Sequence, residues 1–572
     1  MAADAMSDNL AAALALYVSG DYQGTYATLQ PLLAKNQDAG PQALLVMAQC
    51  CAKLEQFTEA ATFYRRAGKL LPAQASVLIT LADKMERSGV EKASALEIEA
   101  LTASRRAIRA GGFDLHSWQT YRATLRHTLN IDEMRVSDQA VRDRLNRRQE
   151  AYYSVDSQTV HLSWCDDEIL NGLWRSDLPA AKPASQTWKK HAGSKLKIAY
   201  LLADEPQDDP QRCLVLSLAA AHDQADFEVL LIGSRLQTAD EASKEIPSLS
   251  ISDLREDDAV ATLRTAGIDI LVDPLGYGEQ GRPNLLRHRI APLHLAMAGH
   301  PGTRTGLVCD YLLADTVVLP QPVKASAATA KTEAPYSPAI CYLPEAFTVT
   351  PPTLNPPAQS RQQRGLPENR IILAAFHPID SISPRTADLW RDILLQTDDS
   401  VLWSTCDNNY ARSNFSAWMK RQGIDENRLL FCTPARATEH ASWIQLADIA
   451  LDCFPSNNQS STLAALQAGL PIPTFPGVNF ASRITASLLH AHGLDELIAR
   501  DADAYVALCA TLARDKRARA ALKQKILAQN AVSPVFDVAS FTSHLEAAYR
   551  SMAGRAAAGL EPEDFSVTNP QA

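Results

Sequence analysis

The chain has 572 residues and a mass of 62.3 kDa, with 46% hydrophobic and 21% charged residues. That is material for about three to five domains with ordinary cores, needing no disulfide or metal staple. A net charge of −10 and a pI near 5.8 argue against broad capture of nucleic acid or anionic membrane. Ten cysteines without a C-x-x-C pair speak against zinc and fit the reduced thiols of a cytoplasm. The apolar start carries Asp4 and Asp8 where a secretion signal needs basic residues, and no apolar run approaches the ~18 residues of a membrane span.

The first zone, to about residue 130, is alanine-rich and helical. Over 41–72, Leu44, Met47, Ala48, Cys51, Ala60, Tyr64, Ala67 and Pro72 fall at the tetratricopeptide offsets. Small residues there let paired helices approach, while large ones fill between them. A weaker copy precedes it, with Gly20-Asp21-Tyr22 standing one repeat before Glu55-Gln56-Phe57. Another begins at Leu78, Leu81 and Ala82 and runs irregularly to Ala107. A plain helical bundle is the alternative. Residues 131–194 read as a charged helical connector whose basic run, Arg142 to Arg148, is a solvated helix face, followed by a linker over 179–194.

From residue 195 short apolar runs alternate with helical patterns. Strands are expected at 197–202, 227–232 and 268–273, then at 371–376, 401–403, 429–431 and 449–451, with helices at 214–221, 260–266 and 463–468. Such alternation predicts parallel α/β sheets. A proline- and alanine-rich span near 320–360 divides them into two lobes, 195–360 and 361–552, ahead of a flexible tail over 553–572. Two such lobes place a ligand in the cleft between them, at the carboxyl ends of the strands.

Two stretches carry chemistry. The first runs from Asp269-Ile270-Leu271-Val272-Asp273-Pro274-Leu275-Gly276-Tyr277 through Arg289–His294 and Gly299-His300-Pro301-Gly302-Thr303-Arg304-Thr305-Gly306 to Asp310–Asp315. Its glycines permit close backbone approach, and Gly302 and Thr303 offer an amide and a hydroxyl to an anionic oxygen. A tight inter-strand turn is the plainer explanation. The second is Leu451-Asp452-Cys453-Phe454-Pro455-Ser456-Asn457-Asn458-Gln459-Ser460-Ser461-Thr462, before a helical run and Gly469-Leu470-Pro471. A polar strand-to-helix turn exposes N–H groups and hydroxyls at a helix N-terminus, a ready phosphate site. Simple N-capping by Ser460 or Ser461 explains it equally.

In order and wording these stretches resemble the O-linked N-acetylglucosamine transferase family, including its bacterial members with tetratricopeptide repeats. The likeness covers roughly 195–550, most closely 268–318 and 446–497, with Phe480-Ala481-Ser482-Arg483 and Gly493–Ala499 included. It implies a helical solenoid followed by a two-lobed GT-B (double Rossmann-like) glycosyltransferase. Such an enzyme holds a nucleotide-sugar donor between its lobes and transfers the sugar with inversion to serine or threonine of a protein acceptor. No metal and no cofactor are implied. The donor-binding residues carried over are Gly302, Thr303, His440, Asn457, Gln459, Ser460 and Ser461, with His300 and Ser381 as further donor or acceptor contacts.

Several family residues are replaced. The usual histidine-proline pair reads Asp209-Pro210, making Asp209 the candidate base, although a surface acid of the 204–209 cluster is an equal reading. Ser381 stands where a lysine contacts the donor diphosphate, Ala464 where a carboxylate binds the ribose, and Ala437 where a lysine is often found. Each lost hydrogen bond to a charged group costs about 1.5–3 kcal/mol. A donor with a single phosphate needs no diphosphate lysine, so the expected donor is a cytidine-monophosphate-linked nonulosonic acid and the expected acceptor flagellin, recognised by the repeats in the cytoplasm. The alternatives are a uridine-diphosphate sugar held by rearranged contacts, or an inactive scaffold.

Overall fold

The computed structural model describes residues 2–35, 40–71, 81, 95–178, 188, 194–202, 209–233, 246–251, 254–278, 280–297, 299, 301–302, 304–320, 338–351, 359–433 and 437–568. The chain divides into two compact units, Met1–Arg106 and Ala107–Ala572.

In the first unit, helices Ala2–Ser19, Tyr22–Lys35, Pro41–Lys53 and Phe57–Leu70 pack in sequence order. Leu44, Met47, Ala48, Cys51, Ala60, Tyr64 and Ala67 are all buried in one cluster with Ala13 and Leu29. The alanines sit at 0% exposure because a larger side chain would push the paired helices apart. The two inter-helix turns share a left-handed residue, Gly20 (φ 85°) in one and Glu55 (φ 61°) in the other. Glycine takes that conformation freely and glutamate at a cost. Leu81 packs against the cluster, whereas Pro72, Leu78 and Ala82 lie outside the described residues. Replacing Ala60 with Leu is expected to overpack this crossing and cost about 1–3 kcal/mol, read as a lower midpoint of the first unit's urea transition.

The second unit begins with the connector helices Leu115–His127, Ile131–Asn146 and Gln158–Trp164. The first of these lies before residue 130, inside the zone assigned to repeats, but it packs with the second unit. Its core is ionic: Arg122 and Arg126, both fully buried, bind Asp156 and Asp138. Burial alone would raise the Asp156 carboxyl, but the Arg122 guanidinium and His161 hold it well below the usual range. Such a cluster fixes geometry, since removing one partner strands the other charge. The basic run from Arg142 is mostly exposed, with Arg142 itself lying 5.3 Å over the Trp164 ring.

The first lobe is built on β1 (Leu196–Leu201), β2 (Phe227–Gly233), β3 (Ser248–Ser250), β4 (Ile270–Asp273), β5 (Leu293–Ala296), β6 (Tyr311–Ala314) and β7 (Ala339–Tyr342). The second is built on β8 (Ile371–Ala375), β9 (Ser400–Thr405), β10 (Leu429–Cys432) and β11 (Ile449–Ala450). Strand β12 (Phe565–Ser566) completes the first sheet, so the orders are β12-β7-β6-β5-β4-β1-β2-β3 and β10-β9-β8-β11, parallel throughout. Helices cover both faces of such sheets, which is why the strands read as unbroken apolar runs.

The tail expected to be flexible is anchored instead. Helix Val538–Ala557 crosses back onto the first sheet, and Phe565 pairs beside Cys341 with its ring edge-on to Tyr311 at 5.9 Å. Residues 569–572 lie outside the described set. Among the described residues no helix is long and apolar enough to cross a membrane.

Candidate functional site

Between the lobes lies a cavity of about 200 Å³ at the carboxyl ends of the strands. The first lobe contributes Pro210 and Gln211 after β1, and Gly299 and Pro301 after β5; the second contributes the Ser456–Ser460 turn after β11. Val349 and Thr350, from the segment passing between the lobes, close one side. Among the described residues, no charged side chain lines it.

The second-lobe wall is a helix start. Gln459–Ala468 is capped by Asn458, whose Oδ1 accepts from the Ser461 N–H at 2.8 Å. The cap is therefore neither Ser460 nor Ser461. Ser461 donates its hydroxyl to the Phe376 carbonyl at the end of β8 (2.9 Å), tying the turn to the sheet. Ser460 is exposed in the cavity, and the amides of Gln459 and Ser460 have no acceptor among the described residues. Two open N–H groups on the positive end of a helix dipole receive an anion. Gln459 also donates its side-chain amide to Thr348 Oγ1 at 3.0 Å, bridging to the inter-lobe segment.

Beneath the turn sits Asp452, at 0% exposure. Its Oδ2 accepts from Asn457 Nδ2 (3.0 Å) and Thr474 Oγ1 (2.7 Å), and its Oδ1 from the Cys453 N–H (2.8 Å). Burial nonetheless outweighs these donors and pushes the carboxyl up to about 7. The sequence places an acid directly after an apolar strand, the one signal that marks it. Gln211, which follows Asp209-Pro210, and the crossing residues Val349 and Thr350 had no signal of their own.

On the first-lobe side, Asp209 caps helix Pro210–Ala221, its Oδ1 accepting from the Arg212 N–H at 2.9 Å. Its chain neighbours Pro210 and Gln211, rather than Asp209 itself, line the cavity. Gly302 lies against the connector: a Cβ there would fall 2.1 Å from Gln158 Oε1. His300, Thr303 and residues 204–208 lie outside the described residues. Arg304 and Asp273 join the two glycine-bearing loops of this lobe by a buried ion pair at 2.8 Å. Asp273 also accepts from the N–H of Gly276, a left-handed residue (φ 52°) where any Cβ would strike the Arg304 guanidinium.

His440, on helix Ala437–Ile444, stands edge-on to Phe376 at 5.1 Å, and burial brings its imidazole down to about 4. It is neutral at pH 7 and offers a ring face and a hydrogen bond, not charge. His377 is likewise lowered to about 4 by burial, with Nε2 donating to the Leu451 carbonyl at 2.7 Å. Ser381 spends its hydroxyl on the Pro378 carbonyl at 2.6 Å and is not part of the cavity wall.

A loop pair at strand ends and a helix N-terminus facing it lie within the stretch that a family comparison recovers. Residues 178–354 and 352–545 match the model of Glycosyl transferase family 41. The chain belongs to that family. Among relatives within reach of it, a probable UDP-N-acetylglucosamine–peptide N-acetylglucosaminyltransferase, SEC, of Arabidopsis thaliana is 27% identical over 403 residues, 68% of this chain and 40% of that protein. The Caenorhabditis elegans UDP-N-acetylglucosamine–peptide N-acetylglucosaminyltransferase is 30% identical over 212 residues, 37% of this chain and 18% of its own. The chain thus spans well under half the length of these curated relatives. A solved lysine mutant of the Thermobaculum terrenum O-GlcNAc transferase superposes with a TM-score of 0.59 at 22% identity, over 97% of this chain and 99% of that one. The fold is therefore tetratricopeptide repeats with a two-lobed GT-B unit.

Asp452 sets a pH dependence for this site. Its folded pKa lies above the ordinary carboxylate value, so its contribution to stability is complete below pH ~4 and lost as pH rises through about 7. The slope is at most ~1.4 kcal/mol per pH unit. Asp452→Asn is expected to flatten it, measured as the difference in urea midpoints between pH 5 and pH 8.

Proposed function

We propose that the second unit is an inverting glycosyltransferase. It would move a sugar from a nucleotide donor to a serine or threonine hydroxyl of a protein acceptor. The donor would be a cytidine-monophosphate-linked nonulosonic acid and the acceptor flagellin, bound by the repeats. The single observation that carries the donor class is the cavity wall: a helix N-terminus with two open amides and no charged side chain among the described residues. Two partial charges on amides balance one phosphate better than two. Ser381 and Ala464, in place of a lysine and an acid, point the same way.

In the reaction, the acceptor oxygen forms a bond to the anomeric carbon as the bond from that carbon to the phosphate oxygen breaks. The hydroxyl proton passes to a base, here Asp209, and the leaving phosphate gathers its charge against Gln459 and Ser460. The enzyme would work in the cytoplasm, where its ten cysteines, all unpaired thiols here, stay reduced.

A second reading, transfer from a uridine-diphosphate sugar, is favoured by the names of the relatives. Calorimetry on the purified chain separates the two. The expected result is tighter binding of cytidine monophosphate than of uridine diphosphate, weakened about tenfold by Ser460→Ala, which removes a hydroxyl exposed in the cavity and with it about one hydrogen bond to a charged group, and little by Gln459→Ala, whose side-chain amide is already bonded to Thr348. Preference for the diphosphate overturns the monophosphate donor. Binding of neither at millimolar concentration favours the scaffold.

Asp209→Asn tests the base. Asparagine caps a helix as well as aspartate, so folding and nucleotide binding should hold while transfer falls by about 10²-fold or more. Unchanged transfer would leave Asp209 as a cap alone.

A further inference from the structure

A second cavity, of about 360 Å³, lies between the connector and the first lobe, outside the inter-lobe site. Its aromatic wall is Trp174 of the connector, edge-on to Tyr277 of the lobe at 4.9 Å. Both polar tips are engaged within the protein: Trp174 Nε1 donates to the Asp156 carbonyl (2.9 Å) and Tyr277 OH to the Thr305 carbonyl (2.8 Å). What these residues leave for the cavity is ring surface. Val160 and Leu178 extend it, and Ala123 faces it from helix Leu115–His127. An apolar side chain gains by leaving water for such a wall, at about 25 cal/mol per Å².

The position of this cavity matters as much as its chemistry. Gln158 lines it, and the Gln158 side chain lies against Gly302, where a Cβ would come within 2.1 Å of Oε1. The adjoining Pro301 lines the inter-lobe site. Gly299, at the other end of the same loop, is packed as closely against Gln211 and the Pro274 carbonyl. The two cavities are thus separated by one loop, held between a connector glutamine and a lobe glutamine. An extended polypeptide advances ~3.3 Å per residue, so a chain that presents a hydroxyl at one cavity and crosses that loop carries a nearby side chain over the other.

We propose that this second cavity is a specificity subsite for the acceptor polypeptide, taking a large apolar side chain a few residues from the modified serine or threonine. The proposal rests on the inter-lobe cavity being the transfer site. The subsite selects the acceptor by sequence close to the target, with the connector supplying one half of the pocket and the catalytic unit the other.

The test uses nine-residue peptides centred on serine, with phenylalanine scanned through an alanine background, on the full chain and on Ala123→Trp. Ala123 is an exposed helix position, so tryptophan there fills the cavity without removing a buried contact. Peptide binding is read by calorimetry, and cytidine monophosphate binding in the same preparation reports folding. The expected result is one phenylalanine position that strengthens binding about tenfold in the natural chain, with that advantage gone in Ala123→Trp. No preferred position, or a preference that survives Ala123→Trp, overturns the subsite. Trp174→Phe gives the second arm: it keeps an aromatic wall and should retain the preferred position, whereas a changed position would also overturn the assignment. Transfer is measured separately. A preference that Ala123→Trp abolishes, in a protein that transfers no sugar, would retain the peptide pocket and sink the transferase reading instead.

Discussion

A short buried polar chain fixes the last long helix onto the first lobe. Tyr549, on the last long helix, shares a hydrogen bond with Tyr200 of β1 at 2.9 Å; Tyr200 bonds His222 at 2.8 Å, and His222 bonds Glu546 at 3.0 Å. Burial would raise the Glu546 carboxyl, but His222 and the Asp223 N–H hold it below the usual range. These groups lie within or against the apolar core made by Phe541, Leu545 and Met552 on the first sheet. Buried polar groups of this kind tolerate few arrangements, since each unpaired member would carry its full desolvation cost. The helix that leaves the second lobe can therefore dock on the first in one register, and the cavity between them inherits its shape.

The connector supplies the second constraint. Asp166 Oδ1 accepts from the N–H groups of Val478 (2.9 Å) and Asn479 (3.1 Å) and from the Ser482 hydroxyl (2.8 Å), all in the second lobe. Asp132 takes the Trp418 indole N–H at 3.0 Å, and Arg135 reaches Asp388 at 2.9 Å. The same connector presents Gln158 and Trp174 to the first lobe. It spans both lobes, which makes it part of the second unit rather than a spacer before it.

Most of the strands read in advance are buried along nearly all their length and must be apolar there, Ile270–Val272 and Ile372–Ala375 being plain cases, whereas β3, β5, β6 and β7 were not read as strands. The tetratricopeptide unit over 41–72 was readable for a similar reason, its alanines being required by the approach of two helices. The Ser456–Ser460 turn was visible as a polar segment between strand and helix, but not its cap. Asn458, Ser460 and Ser461 are all competent caps, and only backbone geometry selects among them. Contacts such as Asp166 with Asn479 join residues more than 300 positions apart and leave no local pattern. The tail was misjudged because its anchor is two residues, Phe565 and Ser566, too short for a periodicity to register.

The bond from Gln459 to Thr348 gives the site a built-in exchange. A ligand that takes the Gln459 side chain over entirely detaches it from the segment running between the lobes, whereas one that uses the second N–H of the same amide leaves that bond in place. In the first case one hydrogen bond is traded for another, so the net gain in affinity from that amide is small. For a ligand of the first kind what changes is the tether: with Gln459 turned away from Thr348, one strut between helix Gln459–Ala468 and the inter-lobe segment is gone. Occupancy of the cleft and that joint are then thermodynamically linked through one side chain.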